Sequence, residues 1–229
     1  MCFGPRSSLA SFLVGSLLNV WILMQLERNH APSLTSLDAP THAALVTIVV
    51  SVQFALLMQV VEGIAWLDLE QTKGWNYMAA KAALPLNVLQ PAVLVLVALL
   101  TRSAPTRELS IACVILLIYL SITHVVCNAE SEWTSLSMVG PTCPHIDLIW
   151  WSHPLLRQSY VFCLFLLLFL VLDSIHVRIA TMLFLGASLL FSSWLYGCTN
   201  GVTGSIWCWL VALGPISIYG LCSWWVPLE

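Results

Sequence analysis

The chain has 229 residues, of which 59% are hydrophobic and 8% charged, and its formal charge is −3. A water-soluble domain carries roughly 25% charged residues to keep its surface wet, so this composition excludes a soluble globule. Eight basic against eleven acidic side chains leave no basic patch of the kind nucleic acid requires; the implied partner is the lipid bilayer.

About 20 residues cross a ~30 Å hydrocarbon core as a helix. Seven apolar runs of that order are predicted as spans, at 8–26, 43–66, 79–100, 109–127, 158–173, 177–197 and 206–225. They are continuously apolar rather than alternating, so they read as helices and not as barrel strands. The expected fold class is all-α: a polytopic transmembrane helix bundle of about seven spans, one domain over 1–229.

In the first span Arg6 precedes the apolar run, no small-residue cleavage site follows it, and Glu27-Arg28 come directly after. It reads as a retained helix rather than a signal peptide. The second span carries Gln59, Glu62 and Trp66 at i, i+3 and i+7, hence on one helix face. An ionisable group at the centre of a membrane costs about 2.5–3.5 kcal/mol on insertion scales, so Glu62 should face the bundle interior or a wet cavity.

Lys73 and Lys81 follow, in or beside the next loop. Retinal needs a Schiff-base lysine within a helix, so retinal is not expected as a cofactor. The third span holds Asn87 and Gln90 at i, i+3, with Pro91 next; a proline removes one backbone donor and leaves a carbonyl open to a ligand or water. His124 sits in the last turns of the fourth span. At 1.5 Å per residue, Glu62, Asn87 and His124 all lie within roughly 5–15 Å of the interface on the N-terminal side. A polar pocket open to that side is the expected arrangement. The plainer alternative is that Gln59, Asn87 and Gln90 only bond neighbouring helices, at about 0.6–2 kcal/mol each, and that His124 snorkels to the nearby interface.

The loop 128–157 contains Glu130, Glu132, Cys143, His145, Asp147, Trp150, Trp151 and His153. Two prolines around Cys143 make that stretch extended. Trp133, Trp150, Trp151, Trp207, Trp209, Trp224 and Trp225 are expected in a headgroup-level aromatic belt. Asp173 and His176 flank the tight hairpin between the fifth and sixth spans.

Basic residues do not orient the chain: Arg6, Lys73, Lys81 and Arg157 fall on one side, and Arg28, Arg102, Arg107 and Arg178 on the other. The cysteines are one-sided. Cys2, Cys127, Cys143, Cys198 and Cys208 lie at the N-terminal-side face, whereas Cys113, Cys163 and Cys222 lie within spans. Such a set suggests an oxidising compartment, with Cys127–Cys143 and Cys198–Cys208 as the simplest disulfides. That places the N-terminus on the exoplasmic side and the C-terminus in the cytoplasm. Free thiols at helix ends are the alternative. Cys2, Cys143 and His145 are also weak candidates for a metal site, although their spacing matches no standard one.

The opening Met1-Cys2-Phe3-Gly4-Pro5, with Ser8-Leu9-Ala10-Ser11-Phe12 after it, and the run Gln59-Val60-Val61-Glu62-Gly63-Ile64-Ala65-Trp66 resemble a family of small polytopic membrane proteins. Its members come from bacteria, algae and large DNA viruses, begin Met-Cys-Phe-Ser and carry Gln-x-x-Glu-Gly-x-x-Trp in the second helix. Gly4 replaces the usual serine. Asn87, Gln90-Pro91 and His145 are similar to family positions, more weakly. The resemblance implies a shared fold and points to Cys2, Gln59, Glu62 and Trp66, but no activity comes with it.

No Walker A loop, dinucleotide fingerprint, His-Glu-x-x-His or arginine-rich voltage-sensor spacing is present. Three readings remain. The leading one is a channel or transporter for protons or a small cation, with Gln59, Glu62, Trp66, Asn87, Gln90, His124 and His145 as binding or permeation residues. The others are a non-catalytic membrane module, receptor-like or part of a larger assembly, and an intramembrane enzyme using Glu62 and His145.

Overall fold

The structure is a computed structural model, and it describes residues 5–29, 38–68, 73–129, 136–138, 146–148, 153–195, 207 and 210–225. Eight helices appear among them: α1 (Pro5–Asn29), α2 (Ala39–Ala55), α3 (Leu57–Trp66), α4 (Trp75–Thr101), α5 (Thr106–Ala129), α6 (Pro154–Val171), α7 (Ile175–Leu195) and α8 (Gly214–Trp225). Helices α2 and α3 form one span, broken only at Leu56. Six stretches are long and apolar enough to cross a membrane: Pro5–Arg28, Ala39–Trp66, Trp75–Thr101, Thr106–Asn128, Pro154–Val171 and Ile175–Trp194. Helix α8, with 12 residues, is the described part of the seventh predicted span and is roughly 18 Å long. The fifth and sixth spans are separate helices, parted at Leu172–Ser174.

The kinked second span and α4 form the centre. Helix α4 packs on α2 and α3, α1 packs on α2 and α3, and α5 and α6 close the far side of α4. Helices α7 and α8 pack on each other and on α2. Pro85 and Pro91 lie inside α4; membrane helices tolerate this because neighbouring helices and polar side chains re-satisfy the freed backbone. The core is hydrocarbon, with Ile22, Leu45, Met58, Leu94, Leu167 and Leu172 fully buried. The outer faces are hydrocarbon too: Leu17, Leu100, Val125, Phe162 and Leu190 are exposed. In water that would be untenable, but lipid is as apolar as the core.

Small residues set the closest approach of α1. A Cβ on Gly15 would lie 2.8 Å from Leu56 Cδ1 and 3.2 Å from Ala212 Cβ, so α1 sits against the break in the second span. Between α5 and α6, strand β1 (Leu136–Met138) pairs antiparallel with β2 (Ile146–Leu148). This short ribbon approaches α3 and α4. His153 caps α6, its Nδ1 accepting from the Leu156 N–H at 3.4 Å, with Pro154 following.

The opposite end of the bundle is tied across turns. Ser103, between α4 and α5, donates its hydroxyl to the Val171 carbonyl at 2.7 Å, and its own carbonyl accepts from the Asp173 N–H at 2.9 Å. Thr41 and Ser174 share a buried hydrogen bond of 2.7 Å. Arg178 donates twice to the Leu172 carbonyl. These bonds hold the α6–α7 turn to α2 and to the α4–α5 turn.

Candidate functional site

Glu62 lies one turn before the end of α3 and is 3% exposed. Gln59, one turn back on the same face, donates Nε2 to Glu62 Oε2 at 3.4 Å. The antiparallel neighbours place Glu62 along the bundle axis. On the α4 side, Asn87 Nδ2 donates to Met58 Sδ at 3.0 Å, and the Asn76 N–H donates to Asp68 Oδ2 at 3.2 Å. Between those ties Glu62 is level with Ala83 on α4, where Ala79, Ala80 and Ala83 are all buried. On the α1 side, a Cβ on Gly63 would meet Ser8 Cβ at 3.9 Å, and Asn19 donates to Gln53 Oε1 at 2.9 Å. Ser11 therefore stands level with Val60 and Val61.

Several buried polar atoms at this end lack a hydrogen-bond partner among the described residues: Ser11 Oγ, Gln59 Oε1, and both Oδ1 and Nδ2 of Asn76. They come from α1, α3 and α4. Buried polar atoms are nearly always satisfied, and one that is not calls for water, an ion or a ligand. Sequence reasoning singled out Gln59 but passed over Ser11 and Asn76. A serine in an apolar run and an asparagine near a loop look ordinary until neighbouring helices cover them.

One to two turns deeper the polar groups are paired. Asn87 donates also to the Ala83 carbonyl at 3.3 Å, and Gln90 Nε2 donates to Asn87 Oδ1 at 3.2 Å. The Tyr160 hydroxyl, from α6, donates to Gln90 Oε1. Pro91, lacking an N–H, leaves the Asn87 carbonyl without its usual helical donor. Met58, Asn87, Gln90 and Tyr160 thus link the second, third and fifth spans.

Not every candidate joins this site. Trp66 is half-buried and packs against the core. His124 lies outside: it is exposed on α5, and its Nε2 is 2.9 Å from Asn128 Nδ2 on the same helix. The buried face of α5 runs through Ala112, Tyr119 and Thr123, and the next residue along is turned about 100° away. Lys81 lies within α4, exposed, with its Nζ 4.4 Å from the Tyr77 ring centroid. His145, Cys2, Cys143, Cys198 and Cys208 fall outside the described residues.

Two expectations are corrected. Cys127 is a thiol, as are Cys113, Cys163 and Cys222, so the Cys127–Cys143 disulfide is not formed. Cys127 is half-buried against the core, where a thiol packs as a small hydrophobe; one of the two links behind the orientation argument goes with it. Trp207 is not in an aromatic belt. It is 2% exposed, donates Nε1 to Ser188 Oγ at 2.9 Å and meets Tyr160 edge-on at 6.4 Å.

Asp68 went unremarked in the sequence, yet it organises the α3–α4 connection. Its carboxylate accepts from the backbone N–H groups of Lys73 (3.0 Å), Trp75 (2.8 Å) and Asn76 (3.2 Å). The N–H groups of Trp75 and Asn76 are orphan donors at the positive end of α4, and that of Lys73 just precedes it.

The six apolar helices and the all-helical bundle define an integral, multi-pass membrane protein. Comparison with protein-family profiles, curated proteins and solved structures yields no match.

Proposed function

We propose that this membrane protein carries protons or a small cation through a polar site centred on Glu62. One observation supports the reading above the rest: a buried carboxyl lies close to the level of Ser11 Oγ on α1 and Gln59 Oε1 on α3, buried polar atoms that no described residue satisfies, with those of Asn76 on α4 further towards the same end. Intramembrane carboxyls that face a bundle interior are characteristic of ion and proton pathways.

The test is ion and proton flux in proteoliposomes, comparing the native chain with Glu62→Gln. The expected result is flux in the native protein that falls to the protein-free level in the variant, with both proteins monodisperse and equally helical. Flux that survives Glu62→Gln removes the site. No flux in either protein, across several cations and both signs of voltage, favours instead a non-catalytic membrane module.

A further inference from the structure

On the other side of Met58 from Glu62 the bundle holds a partly open cavity of about 70 Å³, between α2, α4, α6, α7 and α8. Its wall is mainly hydrocarbon, including Leu94, Leu168, Leu185 and Ile218, but Ser51, Gln90, Tyr160 and Thr181 also line it. Ser51 Oγ and Thr181 Oγ1 are buried with no hydrogen-bond partner among the described residues, and Thr181 is 1% exposed. Helical serines and threonines usually return the hydroxyl to the carbonyl one turn back. Thr47, Ser121 and Ser192 do so here; Ser51 and Thr181 do not. Their hydroxyls border a space with room for about two waters at ~30 Å³ each.

The cavity continues the line of polar groups that starts at Glu62. Glu62, Met58, Ser51 and Thr47 recur at four, seven and four residues, which keeps them on one face of the second span. Thr47 in turn shares a 2.9 Å hydrogen bond with Thr101 near the opposite end. The fully buried Met58 side chain is the apolar member of that line, held by Asn87. It stands two residues, about half a turn, from the break at Leu56.

We infer that the cavity is the water-holding half of a proton route beginning at Glu62, with Met58 as the barrier between the halves. This rests on the Glu62 reading and narrows its cargo to the proton. The described lining holds no carboxylate and room for about two waters, so a metal cation entering it would lose its hydration without a counter-charge. A proton is instead relayed from one hydrogen-bonded group to the next, so no hydrated ion has to fit. It binds the Glu62 carboxylate to give the acid, and when the Met58 side chain moves aside it passes to a cavity water that reaches the acid, which restores the carboxylate. Each water or hydroxyl further on accepts one proton and releases another, so every group ends as it began. Asn87 and Gln90 orient the chain and do not themselves carry the proton.

The experiment measures proton flux with a pH-sensitive dye trapped in proteoliposomes, driven by a pH gradient in choline salt. The proteins are the native chain, Glu62→Gln, Met58→Ala, the single variants Ser51→Ala and Thr181→Val, and their combination. Expected are flux in the native chain, loss to background with Glu62→Gln and with the combined variant, and faster flux with Met58→Ala. If the combined variant does not elute as a folded species, the single variants decide, and each should lower the flux. Flux that requires Glu62 but ignores Ser51, Thr181 and Met58 overturns the cavity route and leaves the Glu62 site standing. Glu62-dependent flux of a metal cation without proton flux overturns the proton route and leaves the Glu62 site standing, and absence of Glu62-dependent flux of either kind overturns both.

Discussion

The Tyr160 hydroxyl donates to the Gln90 carbonyl oxygen across the α4–α6 contact, at the residue immediately before Pro91. Both side chains are buried, so the bond ties the third span to the fifth. Tyr160→Phe keeps the ring and its edge-on contact with Trp207 but orphans Gln90 Oε1. An unsatisfied buried acceptor costs about 1–3 kcal/mol, and interhelical bonds in membranes average nearer ~0.6 kcal/mol. The expected outcome is a lower midpoint of thermal unfolding in detergent, with helix content retained. A partner change to Tyr160→Phe with Gln90→Leu, removing both polar groups, should recover part of the loss.

Asp68→Ala should destabilise more than any surface substitution. It strips the acceptor from three backbone N–H groups at the start of α4, and loss of a cap alone costs about 0.5–2 kcal/mol. Asp68→Asn, which keeps one carbonyl oxygen as acceptor, should fall between the native chain and Asp68→Ala. Thermal unfolding followed by circular dichroism ranks the three. An Asp68→Ala midpoint equal to the native one would remove Asp68 from its organising role.

Two backbone positions predict opposite signs. Arg102 ends α4 with φ +53°, and Gly74 begins it with φ +75°. An L-residue in the left-handed region costs roughly 1–2 kcal/mol, so Arg102→Gly should raise the unfolding midpoint and Gly74→Ala should lower it. No heavy atom within 4 Å meets a Cβ at Gly74, so the second effect is conformational rather than steric. Equal shifts of the same sign would contradict this account.

His124→Ala should leave both flux and stability unchanged, because His124 is exposed and among the described residues bonds only to Asn128, one turn along α5. A loss of flux comparable to that of Glu62→Gln would return His124 to the site.

Cys127 should be alkylated by iodoacetamide in protein denatured without reductant, as a thiol is. Modification that appears only after reduction, read by peptide mass, would restore the disulfide.

The bundle was legible from hydropathy alone, because lipid demands long continuous apolar helices and little else imitates them. Much of the deeper polar line was legible as well, since Gln59–Glu62 and Asn87–Gln90 share faces by helical spacing. What could not be read was which side chains meet across helices. Tyr160 and Trp207 resemble ordinary membrane aromatics until α4 and α7 are placed beside them. Ser51 and Thr181 look like neutral residues in apolar runs, and only the failure of their hydroxyls to bond back to the helix marks them. His124 was misplaced because distance along the axis is easily estimated, whereas facing depends on which flank of α5 is covered. Asp68 acts on backbone atoms, which every residue has, so no side-chain pattern announced it.

The hydrogen bonds among Ser103, Val171, Asp173, Thr41 and Ser174 have a mechanical consequence. They pin the start of α2 and the α4–α5 and α6–α7 turns together at the end away from Glu62, while the break at Leu56 and the prolines of α4 lie between that end and the acid. A bundle clamped in this way has its fulcrum at the clamp, so rearrangements that admit water should splay the Glu62 end like the arms of tweezers. Amide hydrogen exchange resolved along α2 and α3 would record it as protection that is deepest around Thr47 and Ile48 and declines towards Ala65.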